Sequence, residues 1–104
     1  MALPPLTPEQ RAAALEKAAH ARRERAAVKA GLKYGSRTLA EVLAQGRDDD
    51  VVGKMKVAAL LEAMPGVGRR RAEQIMTEIG IAETRRIRGL GDKQVAALLA
   101  RFDR

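Results

Sequence analysis

Apolar residues recur at helical spacing through the latter part of the chain. Val57, Leu60, Leu61 and Met64 fall at i, i+3, i+4 and i+7, and Ala72, Ile75, Met76 and Ile79 repeat the pattern. Val95, Leu98, Leu99 and Phe102 repeat it once more. These stripes predict helices over about Asp50 to Met64, over Arg69 to Glu78, and from a capping Asp92 onward. Leu39, Val42 and Leu43 form the apolar face of a further helix. Thr38 opens it and Glu41 completes a capping box, in which each side chain bonds the backbone N–H of the other. Gly46 is its expected end. A first helix starts at Thr7-Pro8-Glu9-Gln10, with a capping Thr, Pro at the first helical position and Gln where the box needs it. Alanine and long charged side chains carry it to about Ala30, with Gly31 as a stop. The expected fold is all-α, with about five helices.

Large apolar residues are unevenly spread. Residues 1–37 hold five Leu, Ile, Val or Phe (Leu3, Leu6, Leu15, Val28 and Leu32), and the remaining 67 residues hold eighteen. Only residues 38–104 can bury a real core. The division is therefore a basic arm or helix over 1–37 and one small helical domain over 38–104.

Between the stripe ending at Met64 and the one beginning at Ala72 stands Met64-Pro65-Gly66-Val67-Gly68-Arg69-Arg70-Arg71. Pro65 ends the upstream helix, having no N–H to donate. Gly66 and Gly68 relax the backbone and leave no Cβ in the way of a ligand. The downstream helix then starts with free N–H groups and the positive end of its dipole, which suits an anion. Ile81 to Asp92 contains Arg85, Arg86 and Arg88, followed by Gly89-Leu90-Gly91, a second glycine turn. Three guanidiniums in four positions, with no adjacent acid after Glu83, point to phosphate contact. Lys54 and Lys56 lie close to the first turn in sequence. The candidate phosphate contacts are thus Lys54, Lys56, Pro65, Gly66, Val67, Gly68, Arg69, Arg70, Arg85, Arg86, Arg88, Gly89 and Gly91. A monovalent cation bridging the Gly66–Gly68 turn to phosphate is left open.

Charge supports that chemistry. Twenty Lys and Arg face 13 Asp and Glu, a net charge of +7, with a pI near 10.6. This is the footprint of a nucleic-acid binder, although anionic membranes or acidic partners would also be attracted. Asp48, Asp49 and Asp50 lack the glycine and distal glutamate of a calcium loop and are read as caps of the third helix. With no cysteine and one histidine, neither a disulfide nor a Cys- or His-built metal site is expected. No cofactor is expected. No apolar run approaches a membrane span, and Met1-Ala2-Leu3-Pro4-Pro5 lacks the features of a signal peptide. The expected location is the cytoplasm.

Three blocks carry a family resemblance: Leu3-Pro4-Pro5-Leu6-Thr7-Pro8-Glu9-Gln10-Arg11, Val52-Gly53-Lys54-Met55-Lys56-Val57 and Arg85-Arg86-Ile87-Arg88-Gly89-Leu90-Gly91. They resemble the integration host factor of actinobacteria. The stretch from Leu60 through the Pro65-Gly66-Val67-Gly68 turn to Leu90 is similar to a helix-two-turns-helix domain, found in a ribosomal small-subunit protein, some DNA glycosylases and some topoisomerases. The resemblance implies a nucleoid-associated protein that binds duplex DNA through its backbone with little sequence preference, bends or compacts it, and affects supercoiling and phage integration. It also implies DNA contact by Gly66, Val67, Gly68 and Arg69, by Arg85, Arg86 and Arg88, and by Lys54 and Lys56. A monomer in solution is expected, with no small-molecule substrate.

The residues agree. One Phe, one Tyr and no Trp leave no platform for stacking unpaired bases. No helix face combines Asn, Gln and Arg to read base edges. An RNA-binding, ribosome-associated module is the alternative. An enzyme is not expected: glycosylases with this domain attack through an amino-terminal proline, whereas position 2 is Ala2 and Pro4 and Pro5 are internal.

Overall fold

The computed structural model describes residues 4–102. Met1, Ala2, Leu3, Asp103 and Arg104 lie outside the described residues, and with them the Ala2 position, the first residue of the Leu3–Arg11 block and the last two of the expected domain. The architecture is all-α: α1 (Pro8–Tyr34), α2 (Leu39–Asp48), α3 (Asp50–Gly53), α4 (Val57–Glu62), α5 (Arg69–Ile79), a 3-10 turn (Ile87–Gly89) and α6 (Asp92–Phe102). No helix among the described residues is long and apolar enough to cross a membrane.

Both capping boxes form. The Thr7 hydroxyl accepts from the Gln10 amide at 3.1 Å while the Gln10 side chain accepts from the Thr7 amide at 2.9 Å. Thr38 and Glu41 reciprocate in the same way at the start of α2. The ends of these helices depart from expectation. Gly31 does not stop α1, which runs one turn further and ends at Gly35. A Cβ on Gly31 would sit 2.8 Å from the Arg37 side chain, so this glycine makes room for the returning chain. Gly46 is likewise inside α2, where a Cβ would meet Ile87 at 2.5 Å.

The helix expected from Asp50 to Met64 is broken in two. Gly53, a poor helix former, ends α3, and Lys54-Met55-Lys56 leave helical geometry before α4 begins. The backbone groups freed by the break find partners in the segment after α5. The Ile87 amide donates to the Met55 carbonyl at 2.9 Å, the Val57 amide donates to Arg85 at 3.0 Å, and Lys56 and Arg86 form an antiparallel bridge. The Arg86 guanidinium donates to the Lys54 carbonyl at 2.8 Å. Six α-helices and a 3-10 turn among the described residues therefore replace the five helices expected.

The core joins every element. Leu60, Leu61, Ile75 and Leu98 are fully buried at its centre, beside Val42, Val52 and Val57. Val28 and Leu32 of α1 are buried in the same cluster, so the last two turns of α1 pack with the body. Ahead of them α1 stands clear, with only Ala19, Ala21 and Glu24 half-buried.

Candidate nucleic-acid interface

The Met64–Gly68 turn joins α4 to α5. The Val67 amide donates to the Met64 carbonyl at 3.1 Å and Gly66 has φ 76°, in the left-handed region that favours glycine. Gly68 differs. Its φ of −90° and ψ of −175° suit any residue, and nothing lies within 4 Å of where its Cβ would stand. Neither backbone conformation nor packing within the chain requires a glycine there. Gly68 is also the residue preceding α5, and no side chain caps that helix. The first turn of α5 thus has no side-chain cap, and it carries the exposed Arg69, Arg70 and Arg71. Arg69 makes only a 3.4 Å contact with Glu73, with both side chains well exposed, an ion pair of little energetic weight.

A basic cleft of about 360 Å³ lies between α1 and the α3–α4 break. Its walls carry Arg25 and Lys29 of α1, Lys54 and Lys56 of the break, and Arg86; its floor is Val51, Met55 and Ala59. Five cations and no carboxylate line it. The break creates this cleft: an unbroken helix would not form the bridge that carries Lys56 and Arg86 as neighbours. Lys56 also borders the adjoining hollow, which contains Arg69 with Glu62, Glu73 and Glu83. Lys56 therefore links the basic cleft to a hollow of mixed charge at the start of α5.

The arginines at 85, 86 and 88 have three different settings. Arg86 is exposed and lines the cleft. Arg85 is half-buried and donates to the Gly89 carbonyl at 2.8 Å, bracing the 3-10 turn. Arg88 pairs with Asp50 at 2.9 Å and lies against Gly53, where a Cβ would meet its Nε at 2.9 Å. It borders a separate hollow with Arg47 and Asp92. The acid that the local sequence lacked is thus supplied by α3. Gly89 sits under the Arg85 side chain and Gly91 precedes α6, with its amide donating to Gln94 at 3.0 Å. Pro65, Gly66 and Val67 border a hollow with Arg71 and Arg101.

The aspartate run is occupied structurally. Asp49 caps α3, accepting from the Val51 and Val52 amides at 2.9 and 3.2 Å, and Gln45 donates to its other oxygen. Glu24 of α1 faces it. The hydrogen bond with Asp49, followed by partial burial, raises the Glu24 carboxyl above the usual range, with the Asp49 charge adding to the rise and His20 and Arg37 opposing it. The same contact holds the Asp49 carboxyl below its usual range, aided by the Val51, Val52 and Gln45 hydrogen bonds.

The sequence offers Arg25 and Lys29 only as two of several charges on a basic arm able to lie along a phosphate backbone, not as members of a cleft. Their spacing of one turn, placing both on one side of the helix just ahead of buried Val28 and Leu32, was the available signal.

Residues 32–102 match the family described as an S13-like H2TH domain. The chain is 66% identical to an integration host factor of Streptomyces coelicolor over 98% of this chain and 95% of that protein. It is 63% identical to integration host factors of Mycolicibacterium smegmatis, over 99% and 98% of the two chains, and of Mycobacterium tuberculosis, over 98% and 97%. A solved structure described as sIHF bound to an 8bp palindromic DNA superposes with a TM-score of 0.82 at 60% identity, covering 84% of this chain and 98% of that one.

Proposed function

The chain belongs to the integration host factor family of Streptomyces and mycobacteria, and on that premise we propose that it is a nucleoid-associated protein gripping the backbone of double-stranded DNA. It is a binding protein and not an enzyme, as its relatives' name conveys. The observation that carries the reading is Gly68, a glycine that the chain's own conformation and packing do not require, at the uncapped start of α5. Its missing side chain lets a phosphate oxygen reach the amides of the first turn. Lys54, Lys56 and Arg86, joined by Arg25 and Lys29 in the cleft, take neighbouring phosphates, and Arg69 and Arg70 flank the turn. Arg85 and Gly89 hold the 3-10 turn in place, while Arg88 adds positive charge beyond it.

Amides, lysines and arginines arranged in this way read phosphate and not base identity, so sequence preference is low and comes from the shape and bendability of DNA. Bending and compaction of the duplex, with effects on supercoiling and phage integration, follow as the roles proposed for this chain in the bacterial nucleoid. Residues 38–104 carry the grip and the basic helix ahead of them reinforces it. The protein acts as a monomer in solution.

The S13-like character of the matched domain favours one second reading, an RNA-binding module. Fluorescence anisotropy with a duplex DNA and a structured RNA of equal length, at equal salt, separates the two. Tighter binding of the duplex supports the proposal; preference for the RNA overturns it.

A further inference from the structure

The chain has five Ser and Thr side chains: Thr7, Ser36, Thr38, Thr77 and Thr84. Thr7 and Thr38 are committed to their capping boxes. Thr77 lies within α5, where the backbone is held in helical hydrogen bonds. Ser36 and Thr84 remain, each exposed in a connection between helices. Neither hydroxyl makes a hydrogen bond among the described residues. The Arg85 amide donates to the Ala82 carbonyl at 3.0 Å, so Glu83 and Thr84 are the two central residues of a tight turn. Exposed turns are where a second protein gains access to a chain.

Their surroundings separate the two. Thr84 borders the hollow of about 270 Å³ beside the basic cleft, with Lys56 and Arg69 as its cations and Glu62, Glu73 and Glu83 as its acids. Ser36 borders neither the cleft nor this hollow. The Val57 amide donates to Arg85 and Lys56 bridges Arg86, so the residues just after Thr84 are pinned beside the α3–α4 break. Thr84 therefore stands between two parts of the grip. Lys56 belongs to the cleft on one side, and Arg69 opens α5 on the other. A phosphoryl group on Oγ1 carries about −1.5 to −2 charge at pH 7 and three strong acceptor oxygens. Lys56 and Arg69 are the cations that it can draw away from DNA through charge-assisted bonds. Acids already outnumber cations in the hollow, so the added charge also repels a duplex laid across it.

We propose that Thr84 is a phosphorylation site through which a protein kinase releases the chain from DNA. The inference rests on the DNA-binding reading above and concerns its regulation. The donor is ATP. The Thr84 Oγ1 attacks the γ-phosphorus, the new P–O bond forms as the bond to the departing ADP breaks, and the hydroxyl proton passes to a base of the kinase. Hydrolysis of the phosphoester by a phosphatase restores the hydroxyl and frees inorganic phosphate, so the switch is reversible.

The test has two arms. In the first, the full chain phosphorylated at Thr84, assembled from synthetic segments, is compared with the unmodified chain on one duplex over a series of salt concentrations; circular dichroism checks the fold. With Lys56 and Arg69 withdrawn, the salt slope should be shallower by roughly 1.8, two phosphates at about 0.9 each, and affinity at about 0.1 M salt should fall at least about tenfold. Thr84→Glu should show a smaller loss of the same kind, and Ser36→Glu, which adds the same charge away from the hollow, should bind nearly as the unmodified chain does. Equal binding by the phosphorylated and unmodified chains, or equal losses in the two glutamate variants, overturns the proposal. In the second arm, phosphopeptide mapping by mass spectrometry is applied to the chain purified from the cells that make it, in growth and in stationary phase. Phosphate on Thr84 in either phase is expected; its absence from Thr84 in both overturns the proposal. If the unmodified chain fails to bind the duplex, the DNA-binding reading itself fails, an outcome distinct from phosphorylation without effect.

Discussion

Replacing Gly68 with aspartate pits fold against ligand. Gly68 precedes α5 in extended geometry, the conformation in which an aspartate side chain accepts from the amides two or three residues on. Nothing within 4 Å obstructs the new side chain. A better cap is worth a few tenths of a kcal/mol over glycine, and a negative charge at the positive end of an 11-residue helix adds about 0.3–1 kcal/mol. Gly68→Asp should therefore raise Tm by about 2–6 °C, given about 4 °C per kcal/mol at this chain length. For DNA the sign reverses. The carboxylate takes the amides that phosphate would use, a loss of about 1.5–3 kcal/mol for a charged acceptor, and two negative charges about 5 Å apart add about 1–3 kcal/mol of repulsion. Together these weaken binding by at least about sixtyfold. Differential scanning calorimetry and anisotropy titration on the same preparation read both effects. A variant that is more stable and binds DNA as tightly as the native chain would refute the reasoning, leaving the turn a helix connection.

Other outcomes follow from the same structure. Gly53→Ala places a Cβ 2.6 Å from the Gly46 carbonyl and 2.9 Å from Arg88; it should cost about 1–3 kcal/mol in thermal unfolding, and an unchanged Tm would show that the two helices are free to separate. Lys56→Ala removes the cation shared by the cleft and the adjoining hollow; binding should weaken to a similar degree on every duplex sequence, with a salt slope shallower by about 1, and a sequence-dependent loss would contradict backbone contact. Glu24 has its pKa raised, so its stabilising bond to Asp49 is full below its ordinary value and lost as pH rises through the raised one, whereas the lowered Asp49 stabilises above its ordinary value and loses that as pH falls. Glu24→Gln keeps a donor at every pH and should raise Tm near pH 7, with the advantage shrinking by about pH 4; a variant no more stable at pH 7 would show that the pair is unimportant.

What the sequence disclosed was local. Thr7, Thr38 and the Pro65–Gly68 turn are read from a few neighbouring residues, and each stands where its chemistry indicates, because caps and turns satisfy backbone groups within a turn or two. The α3–α4 break was hidden for the opposite reason. Lys54, Met55 and Lys56 are all good helix formers leading into the apolar stripe at 57–64, and the partners that stabilise the interruption, Arg85 to Ile87, lie some thirty residues away. The Arg88–Asp50 pair is concealed by the same separation. Gly31 and Gly46 look like helix stops in isolation; only the crossing chain, Arg37 in one case and Ile87 in the other, shows that they are clearances. The cleft depends on all of this, since it takes cations from α1, from the break and from the returning segment.

The central claim is that phosphate contacts from the turn and the cleft together dominate binding. The salt dependence of duplex binding by the full chain tests it most directly. About six phosphates neutralised by the Gly68 turn with Arg69, by the Lys54–Lys56–Arg86 cluster and by Arg25 and Lys29 predict a slope of about −5 in a plot of log K against log salt. A slope shallower than about −1 would mean that fewer than two phosphates are engaged, and would contradict the account.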